Sequence, residues 1–158
     1  MKDTLVVYFA GSDKSVVKKA ATAAASLLGA DTFEIVCENP YSTDRKVLVA
    51  QALKDKENDA RPAIKGELPE LDAYSNVVLL FPNWCGTAPM PVFTFLDAEA
   101  DALAGKEIHV FAVNDGGGLQ DIETDLHDHY PQAIFEQIEA VHADNADETI
   151  VEILKEEM

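Results

Sequence analysis

Two short segments carry the groups best suited to ligand chemistry. Pro82–Thr87 (PNWCGT) places the single tryptophan, Trp84, on an irregular turn next to a glycine. An indole at such a turn is a stacking surface for a flat ligand, and Gly86 lets the backbone approach that ligand closely. Asn114–Gly118 (NDGGG) adds three consecutive glycines that can lie flat against the same ligand. The structural alternative is that Trp84 only folds over the end of its own strand.

A third segment, Ala10–Ser15 (AGSDKS), joins a predicted strand to a predicted helix and carries two hydroxyl groups. Unpaired N–H groups at a helix start, together with nearby hydroxyls, form an anion site that needs no cationic residue. Asp13 opposes an anion, and Lys14 offsets that charge. The alternative is that Ser12 or Asp13 simply caps the helix. The three segments together predict a pocket for a phosphorylated planar ring.

The elements that position these segments alternate along the chain. Two uncharged apolar runs, Leu5–Phe9 and Val77–Phe81, are typical of strands buried on both faces. The other predicted strands are Asp31–Val36, Ile108–Val113 and Ala133–Val141. The predicted helices are Val16–Leu28, Thr43–Glu57, Phe93–Ala102, one marked by Ile122, Leu126 and Tyr130, and Asp147–Glu156. In Thr43–Glu57 we expect Leu48, Val49, Ala52 and Leu53 to form the buried stripe.

This alternation predicts an α/β fold: a doubly wound, five-stranded parallel sheet of order 2-1-3-4-5. In such a sheet, ligands bind beyond the carboxyl ends of the strands, at the point where the strand order reverses. Here that point lies between the first and third strands. The three segments described above meet there.

Composition narrows the function further. The chain has 158 residues and 47% apolar content, which predicts a single domain over 1–158. A net charge of −17 argues against nucleic acid and anionic membranes as partners and would steer in a basic protein partner. No signal peptide or membrane span is evident, so we expect a cytoplasmic protein. Cys37 and Cys85 are too few for a disulfide framework, and no metal site is predicted.

A resemblance emerges from the middle of the chain. Pro82–Pro89 (PNWCGTAP), Thr94–Leu96 (TFL), Asn58–Pro62 (NDARP) and Leu71–Tyr74 (LDAY) match the pattern of short-chain flavodoxin-like proteins. The chain therefore resembles the flavodoxin family. The resemblance implies bound FMN and transfer of single electrons between a reductase and acceptor enzymes, which are expected to be basic proteins. We also expect a monomer.

The resemblance also implies which residues bind the cofactor. Ser12, Lys14 and Ser15 would hold the phosphate, Trp84 would line one side of the ring, and Asn114–Gly118 would line the other. The full predicted set is Ala10, Gly11, Ser12, Asp13, Lys14, Ser15, Pro82, Asn83, Trp84, Cys85, Gly86, Thr87, Asn114, Asp115, Gly116, Gly117 and Gly118. No catalytic residue is predicted.

Two alternatives use the same fold. An FMN-dependent NAD(P)H quinone or nitro reductase would need a substrate pocket over the ring, and no segment of the sequence stands out as building one. A binding module with weak or lost FMN binding is suggested by Ala10 and Asp13, which depart from the family's usual phosphate loop. In a flavin protein, Asp115 and the net charge would lower the reduction potential, because reduction adds negative charge to the ring.

Overall fold

The computed structural model describes residues 3–11 and 14–157, and its centre is an all-parallel sheet. The five strands are β1 (Thr4–Tyr8), β2 (Asp31–Glu34), β3 (Asn76–Pro82), β4 (Glu107–Asn114) and β5 (Ile134–His142). They lie in the order β2-β1-β3-β4-β5. The predicted fold class and strand order are confirmed.

Six α-helices connect or follow these strands in the described part of the chain. They are α1 (Lys14–Leu28), α2 (Arg45–Glu57), α3 (Met90–Ala98), α4 (Ala100–Leu103), α5 (Ile122–His129) and α6 (Ala146–Glu157). Single 3₁₀ turns occupy Leu71–Ala73 and Ala143–Asn145. None of the helices described is both long and apolar enough to cross a membrane.

The helix predicted over residues 93–102 is in fact two helices. It begins earlier, at Met90, because Pro91 is tolerated in a first turn, where its missing N–H has no partner to lose. It breaks at Glu99, whose backbone (φ −106°, ψ 10°) leaves the helical region. The sequence carries no proline or glycine at that position, so no local signal marks the break.

The sheet separates two apolar cores, one on each face. Successive side chains of a strand point to opposite faces, so Val6 packs with α1 and α6 while Val7 packs with α3 and α5. In β3, Val78 and Leu79 divide in the same way, and both are fully buried. Two-sided burial explains why β1 and β3 are continuous apolar runs rather than alternating ones.

Helix α2 departs from this two-layer arrangement. Leu48 and Ala52 are buried, but neither belongs to either core. The expected burial of Val49 and Leu53 is wrong: they are 48% and 44% exposed. The reason is that α2 lies in the long connection between β2 and β3 and joins neither core, so only Leu48 and Ala52 of its apolar stripe are covered.

His109 in β4 has a structural role. It is buried, and its Nδ1 lies 2.8 Å from Nε2 of Gln137 in β5, next to an irregularity in strand register. Burial lowers the pKa of His109, although Glu107, Glu136 and Glu157 partly oppose that shift. The folded protein therefore favours the neutral imidazole, which can accept a hydrogen bond from the Gln137 amide.

Candidate functional site

A cavity of about 420 Å³ lies beyond the carboxyl ends of the strands, at the point where strand order reverses. Its volume is within the range of small-molecule sites. The residues that line it are Ala10, Val16, Val17, Arg45, Leu48, Val49, Ala52, Pro82, Asn83, Trp84, Cys85, Val113, Asn114, Asp115, Gly117, Gln120 and Ala143. They come from α1 and α2 and from the carboxyl ends of β3 and β4 and the loops that follow β1, β3, β4 and β5.

The three predicted segments converge on this cavity to different extents. Of the predicted binding residues, the structure places eight in its wall: Ala10, Pro82, Asn83, Trp84, Cys85, Asn114, Asp115 and Gly117. Five more lie within two positions of those residues in the chain without lining the cavity: Gly11, Gly86, Thr87, Gly116 and Gly118. Their assignment to a cofactor remains a prediction from the sequence.

The segment predicted to hold a phosphate is described only in part. Ser12 and Asp13 lie outside the described residues, and α1 begins at Lys14, with Ser15 next in the helix. Val16 and Val17, in the first turns of α1, line the cavity. The cavity therefore reaches the N-terminal end of a helix, where free backbone N–H groups favour an anion.

Trp84 is held in place by other aromatic rings. Its ring centroid lies 5.3 Å from that of Phe9 and 4.9 Å from that of Tyr41, and both contacts are edge-on, at 85° and 75°. A Cβ atom at Gly11 would lie 2.7 Å from Cζ2 of the indole, and Gly11 has a φ of +67°. Only glycine satisfies both conditions. The indole thus packs over the strand end, as the structural alternative predicts, and also lines the cavity, as a ligand-binding role requires.

A tight turn carries the residues after Trp84. The backbone N–H of Trp84 donates to the carbonyl of Thr87 at 3.0 Å, and that of Thr87 donates back at 3.2 Å. Cys85 and Gly86, between them, both have positive φ angles, +56° and +84°, as in a type I′ turn. Cys85 adopts this disfavoured conformation with its carbonyl oxygen held by Nζ of Lys56, from α2, at 2.5 Å.

Asn83 joins two of the loops that line the cavity. Its Oδ1 accepts from the N–H of Gly86 at 3.0 Å, and its Nδ2 donates to the carbonyl of Gly118 at 2.8 Å and to Oε1 of Gln120 at 3.1 Å. The carbonyl of Gly86 accepts from the N–H of Asp121 at 2.8 Å. These bonds fix the distance between the tryptophan loop and the glycine-rich loop.

Gln120 is a cavity residue that the sequence reasoning missed. It has a φ of +44°, and its side chain packs close to Gly86 and Gly117, where an added Cβ would lie 3.6 Å and 3.1 Å from its amide atoms. A non-glycine residue with positive φ is a strained position that surrounding contacts must hold. Its place two residues after the glycines was the available signal.

Asn114 shapes the glycine-rich loop from within. Its Oδ1 accepts from the N–H groups of Gly116 at 2.8 Å and Gly118 at 3.2 Å, and its Nδ2 donates to the carbonyl of Val141 at 3.1 Å. The side chain is therefore engaged by the protein itself. Asp115, next in the chain, lines the cavity and brings a negative charge to it.

Thr87 stabilises the site without reaching the cavity. It is buried, and its hydroxyl donates to Oδ2 of Asp125 in α5 at 2.5 Å. Asp125 also accepts, through its backbone carbonyl, from the ring of His129 at 2.8 Å.

Among the described residues no group of three potential ligands is arranged for a metal ion.

Helix α2 supplies a wall of the cavity that was not foreseen. Arg45, Leu48, Val49 and Ala52 line it, and Arg45 places a positive charge opposite in sign to Asp115. The available signal was the length of the connection, residues 35–75, which exceeds the dozen or so residues that a parallel crossover needs. Whether α2 also covers a substrate above the ring stays a question for the reductase alternative.

Tyr41 anchors α2 to the tryptophan loop. Its hydroxyl donates to Oδ2 of Asp55 at 2.6 Å while its ring contacts Trp84. Burial raises the pKa of Tyr41, and the bond to Asp55 raises it further, so the phenol stays protonated and remains a donor. The helix and the indole are thus held by one side chain.

Arg61, from the NDARP motif, ties the same connection to α3. Its Nε lies 2.6 Å from Oδ2 of Asp97, and its guanidinium carbon lies 5.3 Å from the centre of the Phe93 ring. Tyr130 donates to the other oxygen of Asp97 at 2.6 Å. Burial opposes ionisation of Asp97, but the bonds from Tyr130 and Arg61 outweigh it and lower the pKa of Asp97. This motif holds the connection in place and does not line the cavity.

Comparison with known proteins identifies the family. A family model described as flavodoxin matches residues 3–156. The chain belongs to the flavodoxin family. This confirms the resemblance inferred from its middle loop.

Solved structures of other flavoproteins share the fold. A candidate flavoprotein from Bacteroides uniformis is 24% identical, with 98% of each chain covered and a TM-score of 0.82. A flavoprotein in complex with FMN from Lactobacillus acidophilus is 18% identical, with 94% of this chain and 98% of that chain covered and a TM-score of 0.73. Flavodoxin 2 from Bacillus cereus is 14% identical, with 99% of each chain covered and a TM-score of 0.53. Among curated proteins, none matches this chain.

Proposed function

We propose that this member of the flavodoxin family binds FMN and carries single electrons between a reductase and acceptor enzymes in the cytoplasm. The observation that carries the proposal is the cavity itself. It joins the N-terminal end of α1, an indole and a glycine-rich loop at the switch point of the sheet. The related flavoprotein from Lactobacillus acidophilus, of the same fold, is described in complex with FMN.

The residues present fit such a group. Trp84 and Gly117 line the cavity, so an indole and glycine backbone face a flat ligand there, and Val16 and Val17 place the start of α1 in the same wall. The first turn of α1 would hold the phosphate, and Trp84 and the loop from Asn114 to Gly118 would flank the ring. Bound FMN supplies the redox chemistry, and the protein supplies orientation and local charge.

The visible absorption spectrum of the purified protein, with and without added FMN, tests this proposal. We expect a flavin spectrum that survives gel filtration, and quenching of flavin fluorescence on titration of the apoprotein. A protein that remains colourless after incubation with FMN would contradict the proposal and favour the binding module without flavin.

Riboflavin is the matched control ligand, because it has the same ring without the phosphate. If the N-terminal end of α1 holds the phosphate, riboflavin should bind at least about tenfold more weakly than FMN, since charge-assisted hydrogen bonds are worth roughly 1.5–3 kcal/mol each. Equal affinities would place the phosphate outside that helix end.

One observation favours a second candidate, an FMN-dependent NAD(P)H quinone or nitro reductase. The α2 wall, with Leu48, Val49 and Ala52, gives the cavity an apolar side that a flat organic substrate could contact. Consumption of NAD(P)H by the FMN-loaded protein alone, in the presence of a quinone, would support this candidate. Electron transfer that requires a separate reductase supports the carrier.

A further inference from the structure

We propose that the outer face of α2, beside the mouth of the cavity, is the docking surface for an acidic redox protein. The proposal rests on the proposed function, because it concerns where an electron partner reaches the bound flavin. The face consists of Arg45, Lys46, Val49 and Leu53, all of them exposed. Four-residue spacing places Arg45, Val49 and Leu53 in one row, and Lys46 lies beside Arg45 at the start of that row.

The apolar part of this face is unusual for the chain. Val49 and Leu53, one turn apart on this face, are two of the five large apolar side chains that are exposed among the described residues, at 48% and 44%. Singly exposed apolar residues need no explanation, but a cluster of them marks an interaction site. Val49 also lines the cavity, so the apolar cluster continues into the candidate site.

The charge of α2 is opposite in sign to that of the whole protein. The helix has four basic residues, Arg45, Lys46, Lys54 and Lys56, against two acidic ones, Asp55 and Glu57. The chain has 12 basic and 29 acidic residues. A third of all basic residues therefore lie on 13 residues of α2.

Local charge decides docking at physiological salt. The Debye length at that salt concentration is about 8 Å, so salt screens the repulsion between a docked partner and acidic residues on remote faces of this protein. Charges that directly contact the partner are screened much less. The net charge of −17 alone favours a basic partner, as the sequence suggested. At the cavity mouth, contact with Arg45, Lys46 and an apolar ridge favours a partner with carboxylates around an apolar centre.

Lys46→Glu tests the charge of this face, with Lys155→Glu as its matched control. Both changes alter the net charge equally, but Lys155 lies in the last turn of α6, at the opposite end of the sheet from the cavity. The FMN-loaded variants are mixed anaerobically with a reduced plant-type [2Fe–2S] ferredoxin, an acidic protein. One electron leaves the reduced cluster and enters the bound flavin, and flavin absorbance gives the rate.

At an ionic strength of about 0.15 M we expect Lys46→Glu to slow this transfer about fivefold or more relative to Lys155→Glu. Electron transfer from the reduced protein to cytochrome c, a basic protein, should not be slowed by Lys46→Glu. Equal rates with ferredoxin in the two variants would overturn the proposal.

Leu53→Ser tests the apolar part, with Ile134→Ser as its control, because Ile134 is 42% exposed at the start of β5, away from the cavity. We expect only Leu53→Ser to slow transfer from ferredoxin. Light scattering measures the oligomeric state of the wild type and of Leu53→Ser. If the wild type is a dimer and Leu53→Ser is a monomer, a second copy of the chain occupies this face and the proposal is overturned.

The test separates this proposal from the proposed function. Absence of bound flavin after incubation with FMN refutes the function and removes the redox role of the face. Bound flavin with equal rates in both matched pairs refutes the docking surface alone. Folding of each variant is checked by its thermal unfolding and by the FMN affinity, which neither Lys46 nor Leu53 should change, because neither lines the cavity.

Discussion

Replacing Asn83 by alanine should loosen the contact between the tryptophan loop and the glycine-rich loop, which both line the cavity. The change removes three hydrogen bonds: one that shapes the tryptophan loop at Gly86, and two that cross to Gly118 and Gln120. Because two of the three bonds are partly buried and all of them connect residues of the cavity loops, their loss should affect both the stability of the protein and the shape of the ligand site.

The magnitude follows from the number of bonds. A hydrogen bond between neutral groups contributes about 0.5–1.5 kcal/mol net, so the loss of three lowers the unfolding free energy by about 2 kcal/mol. If the loops also become less ordered in the apoprotein, FMN must order them on binding. About 1.4 kcal/mol of that cost weakens binding tenfold, and we expect a dissociation constant raised roughly tenfold to thirtyfold.

Two further variants separate the contributions of the individual hydrogen bonds to this loss of stability and affinity. Asn83→Asp keeps the acceptor for Gly86 but turns a carboxylate towards the carbonyl of Gly118 and Oε1 of Gln120, so it should weaken the contact between the loops at least as much as alanine does. Gln120→Ala removes only one of the three bonds and should cost about a third as much.

Denaturant unfolding of the apoprotein and fluorescence titration with FMN provide the two readouts. The reasoning is refuted if Asn83→Ala unfolds within about 0.5 kcal/mol of the wild type and binds FMN within about twofold, since three native bonds could not then be contributing. A loss of stability with unchanged affinity would mean that the loops order without Asn83.

Three other changes have separate expected outcomes. Gly11→Ala should lower the unfolding free energy by about 2 kcal/mol and shift the fluorescence of Trp84, the single tryptophan, because the new Cβ meets the indole at a positive φ; an unchanged emission spectrum would contradict the contact. Asp97→Asn should lower the unfolding free energy, measured by chemical denaturation, by about 1 kcal/mol, because it weakens the ion pair with Arg61 on a partly exposed surface. If high salt does not reduce the difference from the wild type, the loss does not have an ionic origin. The pKa of His109 is lowered in the folded protein, so below about pH 6.5 the unfolded chain binds a proton that the folded chain does not. The unfolding free energy therefore decreases as the pH falls through this range. His109→Gln should flatten the stability profile between about pH 7.5 and 5.5, and an NMR titration placing the pKa of His109 above about 6.5 would refute this sign.

The sheet could be predicted because its signal is local. Leu5–Phe9 and Val77–Phe81 are apolar throughout, and only a strand covered on both faces demands that pattern. Once their places in the order were set, the switch point and the three loops around it followed from chain connectivity. This is why the tryptophan and glycine-rich loops could be assigned to one site from the sequence.

The position of α2 could not be predicted in the same way. Helical spacing shows which side chains share a face, but it does not show whether that face meets a strand, a loop or a cavity. Leu48 and Val49 are both apolar and both belong to the predicted buried stripe of this helix, yet Leu48 is buried and Val49 is about half exposed. The bond between Asn83 and Gln120, 37 positions apart, is likewise a tertiary contact that no local pattern encodes.

The way the site uses its polar side chains favours a carrier over an acid–base enzyme. The amide groups of Asn83 and Asn114 line the cavity, but both are engaged in holding loops together. Thr87 is likewise committed to Asp125. The described wall otherwise offers an indole, backbone, apolar side chains, Cys85 and the amide of Gln120, whose oxygen is bonded to Asn83, with Arg45 and Asp115 as its charged residues. A site built this way positions a ligand and adjusts the charge around it, which suits a ligand that performs the redox chemistry itself.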